Sequence, residues 1–450
     1  MLGELLIVIR GVSYKKEHAS NEPAPDHVPI LRATNIQDGL VFEDLVYVPR
    51  SYVSEEQILH RGDIIIAASS GSRSIVGKAA QLTTEWSGSF GAFCFGLRPK
   101  PGVNPGFLAW FLQTSEYRNR VSELSAGVNI NNLRAKHIEE TPIPLPPLDE
   151  QRRIVAEIEK QFTRLEAGVV GLLRVQANLK RYRAAVLKAA CEGKLVATEA
   201  ELARQEGRAY ETGAQLLERV LTERRQKWSG KGKYKEPAKP AMADLPELPE
   251  GWIWASIEQL SAKVVDGVHK KPNYVSKGIP FVTVQNLTAG PGISFARLNY
   301  VTEKDHAEFW KRANPEKGDI LVSKDGTLGV IRVVKTDATF SIFVSVALVK
   351  PVMLETTNYF AIALSSPQVQ VQMVPKGSGL QHIHLEDLRE DCVPLPPLAE
   401  QQRMVAEVER RLSVVEELEA VVNANLQRAT RLRQSILQRA LEGGLVPRYD

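Results

Sequence analysis

The chain has 450 residues, of which 43% are hydrophobic and 24% charged, with 26 Pro and 31 Gly. That composition excludes low-complexity disorder, and at about 150 residues per domain the length suggests roughly three globular units, or two plus extended elements. A formal charge of +4 permits a polyanion partner without requiring one. Three widely spaced cysteines (Cys94, Cys191, Cys392) cannot supply a disulfide framework or a zinc knuckle and read as small apolar filler. No apolar run reaches the roughly 18 to 20 residues of a membrane span, and MLGELLIVIRGVSYKK lacks the basic flank and cleavage site of a signal peptide. The expected location is cytoplasmic.

From the N-terminus, short β-branched runs bounded by Gly, Asn and Asp read as strands, Asp63 to Ala67 among them. FLAWFLQTSEYRNRV (107–121) reads as an amphipathic helix. At PLPPLDEQ (144–151) two prolines stop the preceding segment and acidic residues enter a first turn, where the helix dipole favours them. A long helix follows. Val155, Ile158, Phe162, Leu165, Val169 and Leu172 alternate spacings of three and four, continued by Leu179 and Val186, with charges such as Arg153, Glu157, Glu159 and Lys160 flanking them. This is the a/d seam of a coiled coil. Gly168 and Gly171 weaken the helix mid-span and could mark a bend, and Gly193 is placed to end it. Some 45 residues at about 1.5 Å each make a rod of roughly 65 to 70 Å.

A helical patch (201–228) comes next, then a Pro-rich linker whose Lys231, Lys233, Lys235 and Lys239 read as a solvated flexible connection. Asp319 to Val322 and Gly329 to Val334 read as strands, and NYFAIALSSPQVQVQMV (358–374) as an amphipathic helix. PLPPLAEQ (394–401) then repeats PLPPLDEQ at an offset of 250. Aligned without a gap, 144–196 and 394–446 share 21 identities over 53 positions, where chance would give roughly 3. The second seam is Val405, Val408, Leu412, Val415, Val422, Leu426, Ala429 and Ile436, ending before Gly443. The preceding segments correspond too. VPILRATNIQDG (28–39) aligns with IPFVTVQNLTAG (279–290), and RGDIIIAASSG (61–71) with KGDILVSKDG (317–326). The inference is a duplication: two α+β globules of about 140 residues, each followed by a long helix, two like scaffolds carrying different surfaces.

No Walker loop, GxGxxG, HExxH or Asn-Pro-Pro-aromatic motif occurs, and no convincing Asp…Glu-x-Lys of a nuclease. His382-x-His384 lacks partners at ligand spacing, and the serines of ASSGS (68–72) have no base in view. The expectation is a non-catalytic chain.

At PLPPLDEQRRIVAEIE…EGKLV and PLPPLAEQQRMVAEVE…EGGLV the chain resembles the specificity subunit of type I restriction-modification systems. LLERVLTERRQKWSGKGKYKEP and LPELPEGWIWASIEQL resemble that family's linker and the start of its second recognition domain. The resemblance implies an α+β protein with a pseudo-two-fold internal repeat: two α/β-mixed target recognition domains joined by two long helices that form an antiparallel coiled coil. The expected divisions are recognition domain 1 (1–142), long helix 1 (143–197), helical segment and linker (198–245), recognition domain 2 (246–392) and long helix 2 (393–450). It further implies a DNA-sequence specificity subunit whose domains each read one half of a bipartite double-stranded target. The coiled coil would set the spacer and dock two methyltransferase subunits, and restriction subunits would join the complex. AdoMet, ATP and Mg²⁺ would belong to those partners, and this chain would hold no cofactor and no metal. The first half opens at LLIVIRGVSYKK without a counterpart of Trp252 and Trp254, which leaves a misassigned start or a missing strand as alternatives.

Base readout needs polar side chains at base edges, with Lys and Arg on phosphates supplying position. The candidates are polar loop residues at equivalent places: Lys15 and Lys16 with Lys270 and Lys271; Ser69, Ser72 and Arg73 with Ser323, Lys324 and Thr327; Asn131 and Asn132 with Gln381 and His382. Arg73 and Lys324 suit guanine, Asn131 or Gln381 adenine. Gln151, Arg152, Arg153, Gln401 and Arg403, near the rod starts, are the candidate partner-docking residues. A reading from another class is a coiled-coil scaffold that binds proteins rather than DNA.

Overall fold

A computed structural model of the chain describes residues 1–125, 131–230, 232–240, 245–377 and 381–445. It separates into two compact units, one made of 1–174 with 422–450 and the other of 175–421.

In the first unit a mixed-length antiparallel sheet is built from β1 (Leu6–Arg10), β2 (Ile64–Ala67), β3 (Ala79–Gln81) and β4 (Cys94–Pro99), in the order β1-β4-β2-β3. The run IIIA of β2 is buried on both faces. Its period of two sends Ile64 and Ile66 into a core with Leu97, Leu108 and Phe111, and Ile65 and Ala67 into another with Ile9, Phe90 and Cys94. A small sheet sets His27–Leu31 between antiparallel Val46–Pro49 and parallel Ser89–Phe90. All three cysteines are free and buried, and burial pushes the Cys94 thiol up to about 12, which keeps it protonated and inert.

The second unit repeats the plan. Its strands are β5 (Ile253–Ser256), β6 (Ser261–Asp266), β7 (Ile320–Ser323), β8 (Ile331–Val333), β9 (Val346–Pro351) and β10 (Cys392–Leu395), and the main sheet runs β6-β9-β7-β8. Its small sheet again has a central strand, Ile279–Val282, with one antiparallel and one parallel neighbour. In the main sheets, β2 and β7 start from the same device. Gly62 (φ +102°) and Gly318 (φ +93°) turn the chain in the left-handed region, where a side chain would be strained. Asp63 and Asp319, both buried, then accept the N–H of His60 (2.9 Å) and Glu316 (2.8 Å). Each carboxylate is paired across the sheet, Asp63 with Arg98 at 2.8 Å and Asp319 with Lys350 at 2.6 Å. A buried carboxylate needs such a partner.

The halves differ at their starts. Leu2 N–H donates to Thr141 O and Ile257 N–H to Asp391 O, each at 3.0 Å, so the turns Leu2–Leu5 and Ile257–Leu260 are equivalent. In the second unit β5 precedes this turn and pairs with β10, anchored by Trp252, whose indole N–H donates to Glu400. Among the described residues, 142–145 of the first unit have no strand partner, and Leu145 is 49% exposed.

The two long helices are Leu148–Cys191 and Leu398–Leu441, each 44 residues. Helical hydrogen bonding runs through Gly168 and Gly171, where an added Cβ would meet only open space. Gly193 (φ +66°) and Gly443 (φ +77°) do end the two helices in the left-handed cap. Two shorter elements depart from expectation. The stretch 107–121 is two helices, Pro105–Phe111 and Ser115–Leu124, because the Thr114 hydroxyl caps a new start by accepting from Tyr117 N–H. Likewise Ser366 and Pro367 end Thr357–Ser365 and open a short turn, Pro367–Gln370. The patch 201–228 is split at Gly207 (φ +64°) into Glu199–Glu206 and Gly213–Gln226. The linker is tethered rather than loose: Arg224 donates to the Tyr234 hydroxyl (2.6 Å), Trp228 packs edge-on to Tyr234, and Ser256 Oγ donates to Ala238 O (2.6 Å). Lys233, Lys235 and Lys239 still face solvent, and Lys231 lies outside the described residues.

Candidate nucleic-acid interface

Strand direction assembles the candidate loops. β1 and β2 both run antiparallel to β4, so they are parallel to each other and both leave the sheet at the same end. Ala68, just past β2, donates to Phe93 O (2.8 Å) and accepts from Leu133 N–H (2.7 Å). Ser69 and Ser70 then pair with Asn132 and Asn131 in a two-residue ladder. Two candidate groups more than sixty residues apart in sequence are thus side by side.

The second unit does the same. β6 and β7 flank β9 antiparallel; Lys324 N–H donates to Ser345 O and its carbonyl accepts from Ile383 N–H, both at 2.9 Å, and Asp325 bridges to His382. Lys324 therefore stands where Ala68 stands, Asp325 where Ser69 stands and His382 where Asn132 stands. The sequence pairing of Ser69–Arg73 with Ser323–Thr327 is shifted: Ser323 corresponds to Ala67, at the strand's end.

Lys15, Lys16, Ser72, Arg73, Asn132, Lys270, Lys271, Thr327 and Gln381 are exposed, and Ser69 and His382 half-buried; the side chain of Asn131 lies outside the described residues. Lys15 pairs with Glu17 at 3.6 Å. Ser323 and Lys324 depart from the expectation of open loop residues. Ser323 is fully buried and its Oγ accepts from Val330 N–H (2.8 Å), while Lys324 is 7% exposed with its Nζ 3.4 Å from Asp266. Ser323 cannot reach a base from there. The loop that begins with them is tightened by its own core contacts.

Sequence reading missed Asp266 and its partners Arg312 and His269. This carboxylate, 3% exposed at the end of β6, gathers Arg312, His269 (Nε2 at 3.1 Å) and Lys324. Burial alone would raise its pKa, but the hydrogen bonds from Arg312 and His269 and the charge of Lys324 bring it below the usual carboxylate range. An isolated Asp inside VVDGVHKKP carries no sequence signal that Arg312, from another element, will meet it.

The proposed docking residues fall into two kinds. Gln151 and Gln401 are each 1% exposed and hold the proline turns from inside: Gln151 accepts from Asn104 N–H and donates to Pro146 O, and Gln401 donates to Pro396 O. Their side chains are unavailable to a partner, because both are buried and their amides are held by the turn carbonyls. Arg152 is exposed beside Asp149; Arg153 is half-buried; Arg403 pairs with the buried Glu199 at 2.7 Å, inside its own unit.

Within each unit the long helices share a core. In the first, Ile154, Ile158 and Phe162 cluster with Ile436, Leu437 and Ala440, and Arg433 lies over the Phe162 ring and 3.5 Å from Glu166. In the second, Val186, Leu187 and Ala190 cluster with Met404 and Val408, and Arg183 lies 3.8 Å from Glu416. Given the offset of 250, Arg183–Glu416 and Arg433–Glu166 are the same contact with the helices exchanged.

Known proteins agree with this architecture. The family described as "Type I restriction modification DNA specificity domain" matches residues 1–169 and 268–427. The chain is 32% identical over 452 aligned positions to the Type I restriction enzyme EcoKI specificity subunit of Escherichia coli (strain K12), covering 98% of this chain and 88% of that one. It is 44% identical over 189 residues to the StySPI specificity subunit of Salmonella potsdam, 42% of this chain and 41% of the relative. A chain in a solved structure on complex assembly of the type I R-M system superposes with a TM-score of 0.64 at 19% identity, covering 98% and 97% of the two chains, a likeness of fold. The chain belongs to the specificity subunits of type I restriction-modification systems. Among the described residues no helix is long and apolar enough to cross a membrane.

Proposed function

We propose that this chain supplies target choice without catalysis, each α+β domain reading one half of a split double-stranded DNA sequence. What carries the reading is the repeated sheet end, where one scaffold presents Ser69 and Asn132 in one unit and Asp325 and His382 in the other. Equal frames with unlike side chains suit two unlike half-sites, since sequence is read by side chains at base edges. A protein-only scaffold would have no need of that pattern, and the family membership does not favour it.

The two long helices act as an antiparallel coiled coil that sets the spacer. The exchanged contacts Arg183–Glu416 and Arg433–Glu166 support this, as does a burial pattern of spacings four and three from Ile158 to Ala190 and from Val408 to Ala440. With a formal charge of only +4, much of the phosphate contact falls to partner subunits. Methyltransferase and restriction subunits are those partners, and AdoMet, ATP and Mg²⁺ stay with them. Exposed Arg152 and the half-buried Arg153 remain docking candidates, and the domain divisions remain those expected from the sequence.

The test is co-purification with the methyltransferase subunit followed by mapping of methylated bases. A motif of two short blocks separated by unspecified bases is expected. A continuous motif would defeat the two-reader arrangement.

A further inference from the structure

At the corresponding point of the two sheets, the carbonyl that ends the first strand takes a side-chain donor from a neighbouring element. In the first unit Gln57 Nε2 donates to Arg10 O at 2.9 Å; in the second Arg312 Nε donates to Asp266 O at 3.2 Å. The site is shared and the chemistry is not. Gln57 is used up there, because its Oε1 also accepts from Ser54 N–H. Arg312 is fixed along one edge only: Nε on the Asp266 carbonyl, Nη2 on the Asp266 carboxylate and 3.1 Å from His269. Half of its side chain stays open to solvent, although the carboxylate bracing it is 4% exposed.

A surface arginine that only touched phosphate would gain nothing from this brace, and the adjacent carboxylate would oppose the anion. Directional readout does need it. A guanidinium fork locked at Nε and Nη2 presents its remaining N–H groups in one plane, the geometry of bidentate donation to guanine O6 and N7. The place is also right, since Asp266 ends β6 at the sheet end where Lys324, Asp325 and His382 converge. Lys324 holds the other carboxylate oxygen and completes the brace.

We propose that Arg312 reads a guanine in the half-site of the second recognition domain and that Asp266 is its positioning residue. This rests on the DNA-reading function proposed above. The experiment uses the full chain co-purified with its methyltransferase subunit and measures retention of the target duplex and of every single-base variant of it. Arg312→Lys keeps the charge and removes the fork. It should cut the preference for one G·C pair about tenfold or more while leaving the other half-site unchanged. Asp266→Asn should weaken discrimination at that same pair; because it also leaves buried Lys324 unpaired, Arg312→Gln, which leaves Asp266 paired with Lys324 and His269, is run beside it with melting curves. Uniform weakening over all sequences with a shallower salt dependence would make Arg312 a phosphate contact and overturn the proposal, as would unchanged discrimination at every pair. If the wild-type complex prefers no sequence at all, the DNA-reading function itself falls, a result distinct from failure at Arg312.

Discussion

At the scale of single residues, the duplication exposes positions where one half tolerates what the other avoids. Thr141 and Asp391 hold equivalent places, each offering its backbone carbonyl to the opening turn of its domain. Thr141 satisfies its hydroxyl on His137 O at 2.8 Å. Asp391 is 8% exposed, and among the described residues its Oδ2 has no hydrogen-bond partner. Burial, then the nearby charges of Asp387 and Glu390, push its carboxyl up to about 7. An acid whose folded pKa lies above its unfolded value binds more protons folded than unfolded, so stability falls as pH rises from about 4 to about 7. Asp391→Asn removes the ionisation cost. The variant should unfold at higher denaturant than the parent at pH 8, by up to about 4 kcal/mol, and the gap should close toward pH 4. A gap independent of pH, in paired urea titrations, would mean the carboxylate is not the source.

At the scale of elements, the long helices rest on their apolar seam rather than on their ion pairs. Ile158 is fully buried among Phe162, Ile436 and Leu437, and truncation to Ala should cost about 2 to 4 kcal/mol. Arg183 is a third exposed and faces Glu416 and Glu419, so Arg183→Ala should cost less than about 1 kcal/mol and less still in high salt. Chemical denaturation of both variants ranks the two effects; equal costs would contradict the assignment. Caps decide the shorter helices. Thr114 and Ser366 start new helices inside stretches whose hydrophobic spacing ran on unbroken, since a hydroxyl that captures an amide outweighs a continued pattern.

At the scale of the molecule, the proposed spacer role makes helix length a testable quantity. Seven residues inserted into both helices, near Leu172 and Val422, keep the heptad phase and add about 10 Å, the rise of about three base pairs. The unspecified spacer in the methylated motif should lengthen accordingly; an unchanged spacer in an active complex would show that something else measures it. Exchanging residues 1–142 for those of a relative should alter one half-site only, read again by methylation mapping, and a change in both would deny the domains their independence.

Much of this was legible in the chain of letters. A repeat of 21 identities at constant offset needs no coordinates, and neither does a seam of alternating threes and fours, because helix periodicity is a local property of the backbone. The equivalence of Asn131–Asn132 with Gln381–His382 was also readable, by counting. What the letters withheld was proximity. Asp266 meets Lys324 because strands of like direction end at the same edge of a sheet, and Arg312 and Asn132 are brought to those edges from distant elements. The burial of Ser323, Lys324, Gln151 and Gln401 was hidden for the same cause: polar side chains are drawn inside by carbonyls, amides and charges that lie near in space and far in sequence. Sequence alone determined the duplicated plan and its family; tertiary structure decided which polar groups are spent within the protein and which are left to face a partner, since that depends on long-range pairing no local pattern encodes.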